Sequence, residues 1–302
     1  MAKPFVNPFV SGQFLELRVD ALVSDGRGLG RHDGVVVLVE DALPGQLVRA
    51  RVDAVRKSLA EAALVEVLER SPDEQETPCR GCSWQSLAYG RQLAWKERIV
   101  HDALERVGKV ACPPMLPILP SPSEWGYRNK MEFAFGVSGD GGKALGLRER
   151  GSRNIVEVTG CLLQRPLTMR VLEAVRMLSN GAFHDLDGRF LVVREPNAGG
   201  CFVELIVGAG GSLEAGERFA EALRAETPEV TGFALSERLA PSDVAYGERA
   251  LYADGRLEER IGDVRLQMGH NAFFQVNTPA AELLYAEAAR FAALEELPDP
   301  VL

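Results

Sequence analysis

Histidine is scarce in this chain. There are four in 302 residues, His32, His101, His184 and His270, in unrelated local contexts. No Ser/His/Asp set can be assembled around them. Cysteine is scarce too, with five residues in a long chain, which excludes a secreted disulfide scaffold. No apolar run reaches the length of a membrane span. The opening residues, Met1 to Pro8, contain no apolar core of a signal peptide. The expectation is a soluble cytoplasmic protein. No phosphate-binding P-loop and no complete dinucleotide fingerprint is present. Repeats and low-complexity tracts are absent apart from a proline-rich stretch, Cys112 to Pro122.

What is there is a normal globular composition, 46% hydrophobic, long enough for two or three domains. The net charge of −9 argues against a polyanionic partner, but the charge is unevenly spread. Residues 211–302 hold 17 acids and 8 bases, whereas residues 80–130 hold 8 bases and 4 acids. A local basic surface in an acidic protein can still meet nucleic acid.

Residues 14–70 read as five short strands. Leu15, Leu17 and Val19 alternate with polar residues, Val35–Val39 is an apolar run, Leu47–Val55 alternates again, and Ala62–Leu68 closes the set. With Gly/Pro turns between them, they predict a small closed barrel of the OB type. Gly26-x-Gly28-x-Gly30 is read as a hairpin loop, because no βαβ unit follows it. A helix is expected from Trp84 to about Lys109, with Leu87, Trp95, Ile99 and Val107 at helical spacing. The proline-rich stretch marks a boundary near residue 120. Beyond it the pattern is α+β. Strands are expected at Met131–Phe135, Ala144–Arg148 and Ile155–Val158, with a Gly141–Gly142 turn. A hairpin is expected from Phe190–Arg194 and Cys201–Val207. Helices are expected at Leu167–Leu178, Leu213–Arg224 and Pro279–Ala293, the last capped by Thr278.

The strongest local chemical signal is Cys79-x-x-Cys82. Two thiols at this spacing fit a redox pair, half a metal site, or two inert side chains. Cys161 stands in a separate segment, and Cys201 sits in an apparent strand as a core residue. Tyr127-Arg128-Asn129-Lys130 places two cations beside Trp125 at the start of a strand, which suits either an RNA-facing surface or an ordinary exposed strand end.

Several stretches together resemble the bacterial RNA (uracil-5-)-methyltransferase family, the class that includes the 23S rRNA 5-methyluridine enzymes. The stretches are Gly26-x-Gly28-x-Gly30 with Val35–Val39, Leu43-Pro44-Gly45 and Ser71-Pro72, which resemble a TRAM barrel, and Cys79-x-x-Cys82-x-Trp84-Gln85. Further on come Trp125–Lys130, Leu145–Arg148, Ile155-Val156 leading to Cys161, and Phe273-Phe274-Gln275-Val276-Asn277. The resemblance runs over essentially the whole chain.

It implies methylation of uridine C5 in rRNA. A flipped uridine is attacked at C6 by a cysteine thiolate, C5 takes the methyl of S-adenosylmethionine, and a base removes the C5 proton. Carried over by position, Gln275 would contact S-adenosylmethionine, and Arg128, Lys130 and Phe273 would face RNA, most naturally 23S rRNA. Cys79, Cys82 and Cys161 would ligate a [4Fe-4S] cluster. The segment 73–78 lacks the further cysteine of the family pattern, so the fourth ligand is missing, supplied by a non-cysteine group, or replaced by Cys112. None of the five cysteines matches the family's nucleophile.

The implied layout is a TRAM-like OB barrel over 1–70, cysteine motif, helix and connector over 71–120, an α+β RNA-facing domain over 121–270, and the start of a methyltransferase domain over 271–302. The chain stops at Val301–Leu302, before the family's glycine-rich cofactor motif. This gives the expectation of a fold from which the Rossmann-like methyltransferase domain is essentially absent, and of a truncated chain that is inactive alone. The alternatives are a stand-alone RNA-binding or iron–sulfur module, and a thiol redox protein.

Overall fold

The computed structural model describes residues 7–77, 81–137, 142–149, 152–208, 211–241 and 243–292. The chain divides into two compact units, Met1–Pro120 and Ser121–Leu302.

The first unit is built on a closed barrel of β1 (Phe14–Leu22), β2 (Gly28–His32), β3 (Val35–Glu40), β4 (Leu47–Val55) and β5 (Leu59–Glu69), in the order β1-β2-β3-β5-β4. β4 pairs antiparallel with β1 and closes the ring, so no strand edge is left for unwanted pairing. Period-two alternation places Leu15, Leu17 and Val19 inside, with Val35, Val37, Val39, Val48, Ala50, Val52, Ala60 and Ala62. Each fully buried aliphatic side chain of valine size or larger contributes roughly 1.5–3 kcal/mol.

The glycines of the Gly26-x-Gly28-x-Gly30 segment have packing roles. Gly26 turns at φ +94°. A Cβ on Gly28 would lie 2.7 Å from the Ala42 carbonyl, and one on Gly30 would lie 2.4 Å from that of Arg18. The motif lets strands approach, and no helix follows it to cradle a phosphate.

The helix after the barrel, α1 (Tyr89–Asp102), starts five residues later than its apolar spacing suggests. Trp84 sits at φ +64°, and Leu87 donates back to its carbonyl at 2.8 Å. Its indole Nε1 donates to the Gly26 carbonyl at 2.8 Å. The chain therefore turns through Ser83–Ala88 before it can become helical. Trp95 is buried with Leu22, Leu43 and Leu87. A π-helical turn, Ala103–Val107, follows α1 and ends at Gly108 and the left-handed Lys109.

The second unit is a seven-stranded sheet. Its strands are β6 (Lys130–Val137), β7 (Lys143–Arg148), β8 (Ile155–Val156), β9 (Gly188–Arg194), β10 (Cys201–Val207), β11 (Val230–Glu237) and β12 (Arg249–Asp254), in the order β12-β11-β10-β9-β6-β7-β8. β9 and β10 pair antiparallel. β10 and β11 pair parallel, with α3 (Leu213–Glu226) crossing between them.

With α2 (Pro166–Asn180), α3 covers one face of the sheet. Val171, Leu172, Val175, Phe219 and Leu223 pack on Phe133, Leu191, Val203, Leu205, Phe233 and Leu235. The opposite face carries a smaller apolar cluster, Ala134, Phe190, Val192 and Ile206, and the buried polar residues Arg194, Glu204 and Ser236. A separate hairpin, β13 (Leu257–Ile261) with β14 (Val264–Met268), precedes α4 (Thr278–Phe291). Asn277, not Thr278, caps α4, its side chain accepting from the Ala280 N–H at 3.1 Å. Thr278 is fully buried. Among the described residues, no helix is long and apolar enough to cross a membrane.

Candidate functional site

Three of the segments singled out in the sequence meet in the second unit. The stretch entering β6 lies beside the Cys161 segment, with Gly126 N–H donating to the Leu162 carbonyl at 2.8 Å and Arg128 N–H to that of Leu163 at 3.0 Å. On its other side runs the Phe273–Asn277 segment. Asn129 N–H donates to the Val276 carbonyl at 2.8 Å, and Arg128 bridges with both Asn277 and Gln164. The backbone of residues 126–129 thus forms the middle strand of a short three-stranded patch, which brings Arg128, Lys130, Cys161 and Gln275 into one region.

The Phe273–Gln275 stretch is held from both ends. The Arg194 guanidinium donates to the Ala272 carbonyl at 2.7 Å. The Asn129 carboxamide donates to the Gln275 carbonyl at 2.9 Å. Side chains alternate along it: Phe273 is 84% exposed, Phe274 turns inward beside Arg194, Leu257 and Glu259, and Gln275 is exposed. A free aromatic face and an exposed amide therefore stand two residues apart on one rim.

The cations are less free than their spacing suggests. Lys130 Nζ lies 2.6 Å from Glu132 Oε1. Arg128 is half-buried, with its Nη1 3.8 Å from the Met131 sulfur and its Nε buried without a hydrogen-bond partner among the described residues. Beneath the rim, burial pulls the Arg194 guanidinium below the ordinary arginine value, while the Glu204 and Glu132 carboxylates oppose this. Glu204 is itself buried, its Oε1 without a hydrogen-bond partner among the described residues, and the His270 Nε2 lies 3.8 Å from that oxygen.

Two of the three thiols expected as cluster ligands, Cys82 and Cys161, belong to different compact units. Cys79 lies outside the described residues. Cys82, Cys112 and Cys161 are half-buried and Cys201 is buried. Among the described residues, no three His, Cys, Asp or Glu side chains form a group that could hold a metal ion. The expected [4Fe-4S] site, of which Cys79 is a part, rested on residue types and order alone, and no group of described side chains supports it. Cys82 instead borders a cavity of about 520 Å³ in the first unit. Glu40, Asp41, Glu74 and Glu76 line that cavity with Arg70, a composition that repels phosphate. Glu74 is an ionised wall of it. Burial opposes its charge, but hydrogen bonds from Gln46 and Arg70 outweigh burial and hold the carboxyl below its usual range.

The residues that spacing did not reveal are Asn129, Glu259 and Thr278. Glu259 is 1% exposed and Thr278 fully buried, and both hydrogen-bond to the Asn129 side chain. A carboxylate inside an alternating strand pattern was the available signal, with nothing local to name its partner.

Comparison with known proteins supplies the family. Residues 8–65 match the TRAM domain. The chain is 43% identical to an uncharacterized RNA methyltransferase of Nitratidesulfovibrio vulgaris, over 95% of this chain and 65% of that protein. It is 30% identical to an uncharacterized RNA methyltransferase of Caldanaerobacter subterraneus subsp. tengcongensis, over 96% of this chain and 67% of that one. The chain belongs to this RNA methyltransferase family. It spans about two thirds of the length of these relatives. Its fold is that of the Pyrococcus abyssi tRNA (uracil-54, C5)-methyltransferase, solved with S-adenosyl-L-homocysteine. The TM-score is 0.69 at 23% identity, covering 91% of this chain and 64% of that one.

These alignments correct the expected fold class. A fold from which the methyltransferase domain is essentially absent does not describe a chain that matches a methyltransferase sequence over 95% of its length and a methyltransferase fold over 91%. The expectation that the chain is inactive alone rested on motifs sought near the last residue, and these alignments do not support it.

Proposed function

We propose that the protein methylates C5 of a uridine in a structured RNA, with S-adenosylmethionine as methyl donor. The observation that carries this reading is the rim formed by Phe273 and Gln275, beside Arg128 and Lys130, in a chain of the RNA methyltransferase family. Phe273 offers a stacking face to a base drawn out of the RNA, and stacking offsets part of the cost of unpairing it. Gln275 offers an amide that can both donate and accept toward the cofactor. Arg128 and Lys130 stand on the RNA side. Their existing partners are a sulfur and a single exposed carboxylate, which a phosphate oxygen can displace at little cost. The bound S-adenosylmethionine supplies an electrophilic methyl group. None of the five cysteines is assigned as nucleophile, and no step is assigned to an iron–sulfur centre. Ribosomal RNA of the 23S type is the first substrate to test, and tRNA, on which the structurally similar Pyrococcus abyssi enzyme acts by its name, is the second.

The test is transfer of labelled methyl from S-adenosylmethionine to each RNA, followed by nucleoside analysis for 5-methyluridine. Label in 5-methyluridine from either RNA is expected. Label in another nucleoside, or none, would overturn the reading. RNA binding without transfer would favour an RNA-binding module in its place.

A further inference from the structure

We infer that Glu259, Thr278 and Asn129 are positioning residues that set the conformation of the Phe273–Gln275 rim through one directed chain of hydrogen bonds. The inference rests on the reading above only for what the rim presents; the clamp itself stands on geometry.

The chain of bonds has a single sense. The Gln275 carbonyl can only accept, so the Asn129 group 2.9 Å from it is the amide NH2. The same nitrogen lies 2.8 Å from Thr278 Oγ1 and 3.3 Å from Glu259 Oε2. With two hydrogens to give, it serves Gln275 and Thr278 at the two shorter distances. The Thr278 hydroxyl, having accepted from Asn129, donates to Glu259 Oε2 at 3.1 Å. The other carboxylate oxygen accepts the Asn197 N–H at 2.8 Å and the Arg260 N–H at 2.9 Å. Glu259 thus ends the chain as the acceptor of each of these bonds. All three side chains are buried, where a reversed or missing donor cannot be replaced by water. Asn129 lies 130 positions from Glu259 and 149 from Thr278, so the chain ties the segment entering β6, strand β13 and the start of α4 to one backbone carbonyl of the rim.

Two substitutions reverse or cut this sense without changing shape. In Glu259→Gln the amide oxygen is retained by the two backbone N–H groups. Its NH2 then faces the Asn129 NH2, donor against donor, and the Thr278 hydroxyl loses its acceptor, so the pull that holds Asn129 on the Gln275 carbonyl is broken. Thr278→Val removes the relay hydroxyl at constant volume. Thr278→Ser keeps it.

The experiment is hydrogen–deuterium exchange on the full chain, with S-adenosylhomocysteine affinity measured in parallel. Glu259→Gln and Thr278→Val should raise exchange about tenfold in the peptide spanning residues 270–277, the scale of one lost buried hydrogen bond. Exchange in β9–β11 should stay as in the parent, and Thr278→Ser should behave as the parent. Unchanged exchange at 270–277 overturns the inference, and so does a rise spread over the whole sheet, which marks a merely structural role. Affinity for S-adenosylhomocysteine should fall by a similar factor in the two loosening variants and in Gln275→Ala. A parent chain that does not bind it, or a Gln275→Ala variant that binds it normally, defeats the cofactor reading of Gln275, while the exchange pattern still decides the clamp.

Discussion

Replacing Phe273 with alanine separates binding from stability. The side chain is 84% exposed. Of the roughly 150–250 Å² that a phenylalanine can bury, about a sixth is removed from water, so its loss costs under about 1 kcal/mol at 25 cal/mol per Å². For a unit of this size that is a shift of a few degrees at most in Tm. Stacking on a base is worth about 1–3 kcal/mol, so the Kd for a structured RNA with a loop uridine should rise about 5- to 150-fold. The assay is fluorescence anisotropy over a series of salt concentrations. Phenylalanine neutralises no phosphate, so log K against log salt should keep its slope while the whole line drops. Arg128→Ala, by contrast, should flatten the slope by about one phosphate contact. A Phe273→Ala protein that binds RNA as tightly as the parent refutes the stacking role. One that loses salt dependence shows that the rim binds through charge.

Three further outcomes follow from the packing. Asp254 accepts a bidentate pair from Arg224, and also the Phe233 N–H. Arg224, helped by Tyr252, outweighs burial and holds the Asp254 carboxyl below its usual range. Its stabilising effect is therefore complete above the unfolded value of about pH 4 and is lost as pH falls through the depressed folded value. Asp254→Asn should cost about 1–3 kcal/mol at neutral pH and flatten that part of an acid-unfolding curve; an unchanged curve refutes it. Burial, with Glu195 and Glu229 nearby, pushes the Cys201 thiol well up. Peptide mapping after treatment with a thiol reagent at pH 8 should find Cys201 unlabelled in the folded protein, and native labelling at the rate of Cys112 would contradict this. In the barrel, Gly30→Ala should lower stability by about 1–3 kcal/mol through its contact with the Arg18 carbonyl. Gly90→Ala, with open space around it in α1, should raise stability by about 0.4–1 kcal/mol; thermal melts in which the two shift alike would refute the packing argument.

The barrel was legible because period-two alternation is a local property. Leu15, Leu17 and Val19 announce which face is inside, and the structure buries those three. The onset of α1 was not legible. Trp84 continues an apolar spacing, and spacing carries no information about a φ of +64°. Nor does it show an indole drawn to the Gly26 carbonyl 58 residues earlier. The cap of α4 was misplaced by one residue for a related reason. Asn277 and Thr278 are both good caps by type, and the choice was made by Asn129 and Glu259, which take the Thr278 hydroxyl for the interior.

The same distinction governs the site. The Phe273–Asn277 and Trp125–Lys130 stretches stand out as short strings, but no string states that Asn129 N–H meets the Val276 carbonyl. Glu204 makes the limit plain. It sits in the middle of Cys201–Val207, a run that is buried throughout, and a carboxylate there must find a compensating group, because an unpaired buried charge costs several kcal/mol. From the run alone it follows that a partner exists. That the cation on the neighbouring strand is Arg194, and that a histidine approaches from the loop before Phe273, follows only from the register of β9 on β10 and the return of residues 269–272 over the sheet. The same register sets the Arg194 guanidinium 2.7 Å from the Ala272 carbonyl, and the segment it holds there is the one that presents Phe273 and Gln275.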